Sequence, residues 1–457
     1  MNEPVSKLSK IDAIKGRIEA AKATRKGNTQ RRKGMSKKSI SLKVCGNKLY
    51  KHQKVMLEKF FLEAKWLTNA VIGSNDIFNF VLTPTVPVML YNEVTGKCDI
   101  PEMRELTLGS QMQQGLVTQV QTDIINLAKK KAKGGVVGAR RFSKEQNCIP
   151  LPQCGVTYWQ LANKNYFKIQ KIGKVRVSGV DQIKDNYEMA EAKLIRKPSG
   201  YYLHILCYVP KEAEIIVKGS STGVDFGCKT AMTDIQGNET KIYVDLPKQL
   251  KKVQQASSRK YAANKKCRIK GQKWSKNYSK TSRKLRKIYE NVTNKKKDLV
   301  RKAINKYKAY EVIALQDDSI KGWQSGRYGR TISRSAVGQL KKELKKLDSD
   351  GRKVIVIDRY LPTTQECPDC LVKTKLELSQ RTFTCSKCGF EEPRDRKGAR
   401  CIYCYGMYEL ETGIKPRRAG RTPLSVEQLA SVYSYYSFEN SDINKSIAMK
   451  QETARLA

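Results

Sequence analysis

Six of the thirteen cysteines fall between 367 and 404, and four of them carry the spacing of a metal site. Cys367-x2-Cys370 and Cys385-x2-Cys388 are separated by fourteen residues, and Gly389 follows the second pair. Two such knuckles offer four thiolates to one Zn²⁺ in tetrahedral geometry, which fixes a ribbon too small to build its own core. Cys401-x2-Cys404 repeats the spacing inside a segment that reads as helix. There i and i+3 share a face, so the pair reads as helix packing and not as a second zinc site. The remaining seven cysteines are scattered, the total is odd, and the N-terminus has no apolar leader. That usage predicts metal chemistry in a reducing compartment, not disulfides.

With only two histidines, His52 and His204, imidazole acid–base and nucleophilic schemes are nearly excluded. Catalysis, if present, rests on carboxylates and metals. "GVDFG" (223–227) sets Asp225 in an apolar strand, with Gly223 and Gly227 on its face. Missing side chains there would leave room for a metal and a phosphate. Carboxylates from separate elements can hold two Mg²⁺ about 4 Å apart, activating water and stabilising a leaving oxygen. In an RNase H-like sheet they come from the first strand, the fourth strand and a later helix, and Asp225 fits the first role. After the zinc knuckles, "PRDRKGAR" puts Pro393 at a helix start, Asp395 in its first turn and small Ala399 one turn on. That aims a carboxylate at the sheet. Each aspartate also has a plainer reading, the first as a strand-end residue met by backbone donors, the second as a dipole-stabilising helix terminus.

The elements that would position these residues follow from periodicity. "SISLKVCGNKLY" (39–50) alternates as a strand, and "HQKVMLEKFFLEAKWLTNAVI" (52–72) has helical spacing. "TPTVPVML" excludes helix, and residues 110–135 form a second long amphipathic helix. Strand patterns resume between 155 and 217, which with 39–50 predicts a small antiparallel barrel interrupted by a helical insertion. From 221 the pattern is strand, hairpin, strand; residues 248–310 read as helix, basic loop, helix. "YEVIALQ" and "KVIVIDR" are apolar strands separated by the helix "RSAVGQLKKELKKL".

Charge names the class of partner. The chain carries 89 Lys+Arg against 43 Asp+Glu, a formal net charge of +46, which would repel itself without a polyanion. Residues 248–310 hold 23 Lys/Arg and two Asp/Glu, too concentrated for a merely solvated helix face, so Lys284, Lys287 and Lys296 are expected along phosphates. Residues 1–40 hold twelve Lys/Arg and three Asp/Glu with no sustained apolar face, a disordered basic arm that orders on nucleic acid. No apolar run is long enough to span a membrane.

These stretches resemble the RuvC-type nucleases of transposon-encoded TnpB and the compact type V CRISPR effectors descended from it. The resemblance runs from about 40 to 410. It rests on "GVDFG", the basic run "SKNYSKTSRKLRKIYENVTNKKKDLV", the entry "IDRYLPTTQECPDC", the ribbon and the "RDRKGAR" helix. It implies a multidomain α+β chain: an antiparallel β-barrel (wedge) with a helical recognition insertion, an RNase H-like RuvC domain and an inserted four-Cys zinc ribbon. The expected boundaries are a disordered arm at 1–38, the barrel at 39–50 plus 150–217 and the insertion at 51–149. The RuvC-like domain follows at 218–362, the ribbon at 363–391, the last RuvC helix at 392–412 and a disordered tail at 413–457.

The resemblance also implies an Asp–Glu–Asp triad binding Mg²⁺. Asp225 matches the first member and Asp395 the last, where the family has D-x-N-A-A and this chain has "DRKGA". Gln316 stands at the glutamate position. Glu311 lies five residues back on the other face, about 17 Å away. Asp317 points away, and Asp318 has the right parity one pleat further on. Glutamine lacks the charge, so cleavage is expected to be impaired, either in a natural nuclease-dead site or by replacement of a glutamate. The implied function is an RNA-guided DNA endonuclease scaffold in a prokaryotic cytoplasm, nucleoid-associated when bound. Its partners are guide RNA and double-stranded target DNA with a short flanking motif, held by a monomer or by a dimer on one RNA, with no membrane. A guided DNA-binding repressor and a plain RNA-binding zinc-ribbon protein are the competing readings.

Overall fold

The computed structural model describes residues 16, 19–20, 22–24, 26–91, 98–211, 216–267, 274–326, 329–349, 351–377, 379–416 and 424–436. Two units emerge, Met1–Glu212 with Gln254–Lys287, and Ala213–Val253 with Ile288–Ala457.

The first unit is built on a seven-stranded antiparallel sheet, nearly closed as the barrel expectation requires. Its strands are β1 (Met35–Val44), β4 (Cys148–Leu151), β5 (Tyr158–Gln160), β6 (Tyr166–Ile169), β7 (Gly173–Ser178), β8 (Glu188–Lys197) and β9 (Gly200–Pro210), in the order β4-β8-β9-β1-β7-β6-β5. Alternation decides the inner face. Ile40 and Leu42 of β1 lie opposite Ile205 and Leu203 of β9, and all four are buried. Between β1 and β4 run helices α1 (Lys51–Gly73) and α2 (Ser110–Ala132), with the hairpin β2 (Thr85–Tyr91) and β3 (Cys98–Glu105) between them. Leu57, Phe60, Phe61, Ala64, Leu67 and Val71 form the buried stripe of α1. Glu63, also buried there, accepts from Thr107 N, Thr107 Oγ1 and Leu108 N at 2.6–2.9 Å and so fixes the entry to α2.

The basic arm is shorter than 1–38. Residues 26–32 are helical, Arg31 and Arg32 pair with Glu188, and β1 begins at Met35. Residues 1–15 lie outside the described ones.

The second unit holds a five-stranded sheet of order β12-β11-β10-β13-β14. β10 (Val217–Asp225), β13 (Tyr310–Gln316) and β14 (Lys353–Ile357) are parallel, while β11 (Met232–Asp234) runs antiparallel to β10 and β12 (Glu239–Thr240) antiparallel to β11. Helices α3 (Leu250–Cys267) and α4 (Lys276–Tyr307) form the expected basic hairpin, and the residues of α4 divide between the two units. After β13 come two short helices, α5 (Ile320–Ser325) and α6 (Gly329–Ser335), and then α7 (Val337–Lys345). Helices cover both faces of the sheet, so β13 is apolar almost throughout. On one face Val224, Ile313 and Leu315 pack with Val337, Leu340 and Leu344 of α7. On the other, Ala314, Ile355 and Ile357 pack with Cys401, Ile402 and Tyr405 of α8 (Arg394–Thr412).

The tail expected to be disordered from 413 departs from that reading. Helix α9 (Val426–Tyr433) docks on α8, because Tyr433 Oη donates to Glu366 Oε2 at 2.8 Å and Val432, Tyr433 and Tyr436 are buried. Residues 437–457 lie outside the described ones. Among those described, no helix is long and apolar enough to cross a membrane.

Candidate functional site

The Sγ atoms of Cys367, Cys370, Cys385 and Cys388 lie within 4.8 Å of one another. Each knuckle closes in the same way. Leu371 N donates to Cys367 O, and Gly389 N donates to Cys385 O, both at 3.1 Å, with Leu371 at φ 61 and Gly389 at φ 75. The strand pair β15 (Thr382–Thr384) and β16 (Glu391–Pro393) frames the second knuckle. The N–H groups of Cys388 and Lys387 pull the Cys385 thiol down to about 6, whereas burial pushes Cys367 up to about 12. Four converging sulfurs with a thiolate-prone member suit a soft tetrahedral cation, so this cluster could bind zinc. Cys401 and Cys404 are buried in α8 and take no part in it.

The second centre forms where β10, the end of β13 and the first turn of α8 meet. The helix can approach because small residues remove side chains between it and the sheet. A Cβ on Gly223 would fall 2.2 Å from Ala399 O, and one on Gly406 would fall 2.5 Å from Ala314 Cβ. Gly223 therefore makes room for α8, not for the metal and phosphate expected there. Gly227 belongs to a turn in which a Cβ would meet Thr230 O at 2.7 Å. Gly398 sits directly over the aspartate: its Cβ would fall 2.8 Å from Asp225 Oδ2.

Asp225 retains some solvent contact, yet burial dominates its titration and raises its pKa well above the usual value. The charges of Asp318 and Asp395 add to this push, and Arg394 opposes it. Asp395 stands in the first turn of α8, 3.6 Å from its neighbour Arg394. Asp318 stands where the sequence reading placed only a residue one pleat too far. It lies two residues past the end of β13, and burial lifts its pKa to about 6, the nearby Lys341 ammonium pulling the other way. Its Oδ2 is enclosed and has no hydrogen-bond partner among the described residues. An orphaned, enclosed carboxylate oxygen beside two further carboxylates is costly without a cation. Among the described residues the four cysteines are the group whose ligand atoms converge closely enough to hold a metal ion; the three aspartates feel one another's charge without converging in that way.

Gln316 shares the α8 face with Asp225 but its amide is committed elsewhere. Nε2 donates to the carbonyls of Asp358, Arg359 and Leu361 at 3.3, 3.3 and 3.0 Å, and Oε1 accepts from Thr363 Oγ1 at 3.1 Å. It thus ties down the loop that leads from β14 to the ribbon. Glu311 accepts from Gly219 N at 2.6 Å at the far end of the strand. Asp317 is held by Lys341, Lys345 and Arg359 at 2.9–3.1 Å. Burial alone would raise its pKa, but the bonds from Lys341 and Lys345 outweigh that and leave it low. The sequence signal for Asp318 is its even offset from Gln316; its depth past the strand end is not legible in the chain.

Lys284 and Lys287 are exposed on α4, as phosphate contacts require. Lys296 differs from the expectation, since its half-buried ammonium donates to Ser333 O. In the first unit, a cleft of about 730 Å³ between α2 and β4–β8 is lined by Gln111, Gln114, Gln119 and Gln153.

Comparison with known proteins bears on both centres. Residues 339–402 match the family model of the Cas12f1-like TNB domain, and residues 204–310 match the OrfB_IS605 model, described as a probable transposase. A putative RNA-guided DNA endonuclease of Streptomyces pristinaespiralis is 30% identical over 152 residues, which is 32% of this chain; the match spans only 38% of that relative's length. Among solved structures, a Cas12f1–sgRNA–target DNA complex aligns over 80% of this chain and 98% of its own, with 11% identity and a TM-score of 0.42. The mini-RNA-guided endonuclease CRISPR-Cas_phi3 aligns over 50% and 56%, with 14% identity and a TM-score of 0.30.

Proposed function

As a relative of TnpB and the compact type V effectors through its matched transposase and TNB segments, this chain is, we propose, an RNA-guided DNA endonuclease whose acidic centre is Asp225, Asp318 and Asp395. The observation that carries this reading is the enclosed, unpartnered Oδ2 of Asp318 beside Asp225. Asp318 takes the role that the sequence reading gave to Gln316, so cleavage need not be impaired by the glutamine. The mixed sheet with Asp225 on its first long strand and Asp395 on the helix across it supports an RNase H-like, RuvC-type site. Bound divalent metal, Mg²⁺ in this reading, would polarise water and the leaving oxygen of a phosphodiester.

The residues supply the rest. Asp225 ends β10, and Asp318 stands two residues past the end of the neighbouring parallel strand β13, where Asp317 N still donates to Ile357 O at 3.1 Å. Asp395 reaches them from α8, and the Gly223–Ala399 and Gly406–Ala314 approaches fix that helix's height. The exposed lysines of α4 would hold guide RNA and target DNA by their backbones, sequence being read by base pairing. The glutamine-lined cleft offers amide groups of the kind that pair with base edges, suited to a short flanking motif in the DNA.

The test is metal-dependent cleavage of labelled target by the chain loaded with its copurifying RNA. Asp225→Asn and Asp318→Asn should each lower the rate about a thousandfold while target binding persists. A guided DNA-binding repressor is the second reading, favoured by the fixed structural role of Gln316 at the family's glutamate position. It prevails if the unaltered chain binds guided target and leaves it intact.

A further inference from the structure

The tip of the α3–α4 hairpin carries three aromatic rings in a setting without a core. Tyr261 of α3, Trp274 just before α4 and Tyr278 within α4 have centroids 5.2, 4.9 and 6.0 Å apart. None of the three belongs to a buried cluster, and Tyr261 is 43% exposed. Between 258 and 287 no described residue is buried. The hairpin is already pinned by polar bonds: Lys260 Nζ donates to Thr281 Oγ1 at 2.8 Å, and Ser275 N donates to Asn264 Oδ1 at 3.2 Å. The rings meet at 31–51°, so they do not cover one another's faces as a parallel stack would. Around them, residues 254–287 hold thirteen Lys/Arg and no Asp/Glu.

We infer that Tyr261, Trp274 and Tyr278 form a stacking site for unpaired nucleobases, presented at the tip of a phosphate-binding hairpin. Cations bring a polyanion to this tip, but cations alone hold phosphates and give no reason for three rings gathered there, one exposed and two half-buried. Each ring keeps apolar surface in contact with solvent, and a base stacked on it would bury that surface, whatever the base. Lysines and rings together fit a single-stranded nucleic acid that runs along the hairpin and lays one or two bases on its tip. The inference rests on the nucleic-acid reading of the basic run and not on the carboxylate centre.

Fluorescent twenty-nucleotide strands test it by direct binding to full-length, RNA-free protein: oligouridine, oligothymidine and an abasic deoxyribose-phosphate strand of equal length, each titrated at several salt concentrations. Trp274→Ala and Trp274→Leu should both weaken the base-bearing strands about tenfold, leave the abasic strand unchanged, and keep the slope of log K against log salt. Trp274→Phe should retain most of the affinity. Leucine preserves apolar packing within the hairpin, so a merely structural tryptophan would tolerate it. A loss confined to the uridine strand assigns the site to RNA, one confined to the thymidine strand assigns it to DNA, and a loss in both assigns it to bases in general. Wild-type binding by the leucine variant, or an equal loss on the abasic strand, overturns the proposal. The readout is binding alone, so failure of the cleavage reading would leave this result standing, and the reverse.

Discussion

Changing Gln316 to glutamate preserves the shape of the side chain and exchanges an amide for a carboxyl, and the two roles open to this position predict opposite outcomes. In the structure the amide nitrogen faces three carbonyl oxygens, those of Asp358, Arg359 and Leu361. An ionised carboxylate would set acceptor against acceptor, so the folded variant should keep its new carboxyl group protonated. Against an unfolded pKa of about 4.3, holding that proton at pH 7 costs about 1.36 kcal/mol for each of roughly 2.7 units, about 4 kcal/mol. The neutral acid also has one donor where the amide had two, a further loss of about 1 kcal/mol. Gln316→Glu should therefore lower the Tm of its unit by about 10–20 °C without raising the cleavage rate.

Asp318→Asn is the counterpart. The folded pKa of Asp318 is raised from 3.8 to about 6. Its contribution to stability is thus fully present below pH 3.8 and is lost as pH rises through 6, so at pH 7 the ionised form strains the fold. Asparagine removes that strain, and Tm in metal-free buffer should rise while cleavage disappears. Thermal melts and guided cleavage on both variants decide the matter. A Gln316→Glu protein with unchanged Tm and faster cleavage would refute the argument and return the middle carboxylate to position 316.

Divalent cation must displace protons from Asp225 and Asp318, both raised, so Mn²⁺ affinity should climb between about pH 5 and 7; a midpoint near the ordinary carboxylate value of about 4 would contradict the site. Metal analysis should find one zinc per chain, none after Cys385→Ala and one after Cys401→Ala; two per chain would make Cys401 and Cys404 ligands. Lys284→Gln and Lys287→Gln should each reduce the salt slope of nucleic-acid binding by roughly 0.7–0.9, whereas Lys296→Gln should leave it alone because its ammonium serves Ser333. An unchanged slope in the first two would make α4 a solvated surface.

Much of this is legible in the chain itself, because it depends on short-range rules. Two Cys-x2-Cys pairs fourteen apart specify a four-sulfur knuckle, since spacing and turn geometry suffice to bring the sulfurs together. Helical periodicity in 52–72 and 110–135 marks α1 and α2 almost to the residue, and alternation marks β9, while the strand read at 39–50 runs instead at Met35–Val44 because a turn at Gly46–Lys48 ends it. The +46 charge calls for a polyanion, which the proposed function supplies as nucleic acid. Strand and helix-start context single out Asp225 and Asp395, and in the fold the charge of Asp395 acts on Asp225.

What fails is whatever depends on partners remote in sequence. Gln316 and Asp318 have the same parity, so no pattern along β13 could tell which turns toward Asp225. That is decided by the loop at 358–363, more than forty residues on, whose carbonyls capture the glutamine amide. Gly223 looks like space for a ligand, and only the approach of Ala399 shows that a helix fills it. Lys296 is one lysine among many until Ser333 folds beneath it. Residues 424–436 have too little apolar surface to order alone, and they are held because Glu366 and α8 supply the other half of their contacts. Local sequence sets what each element is; which side chain remains free for chemistry is set by the hydrogen bonds that distant segments have already claimed.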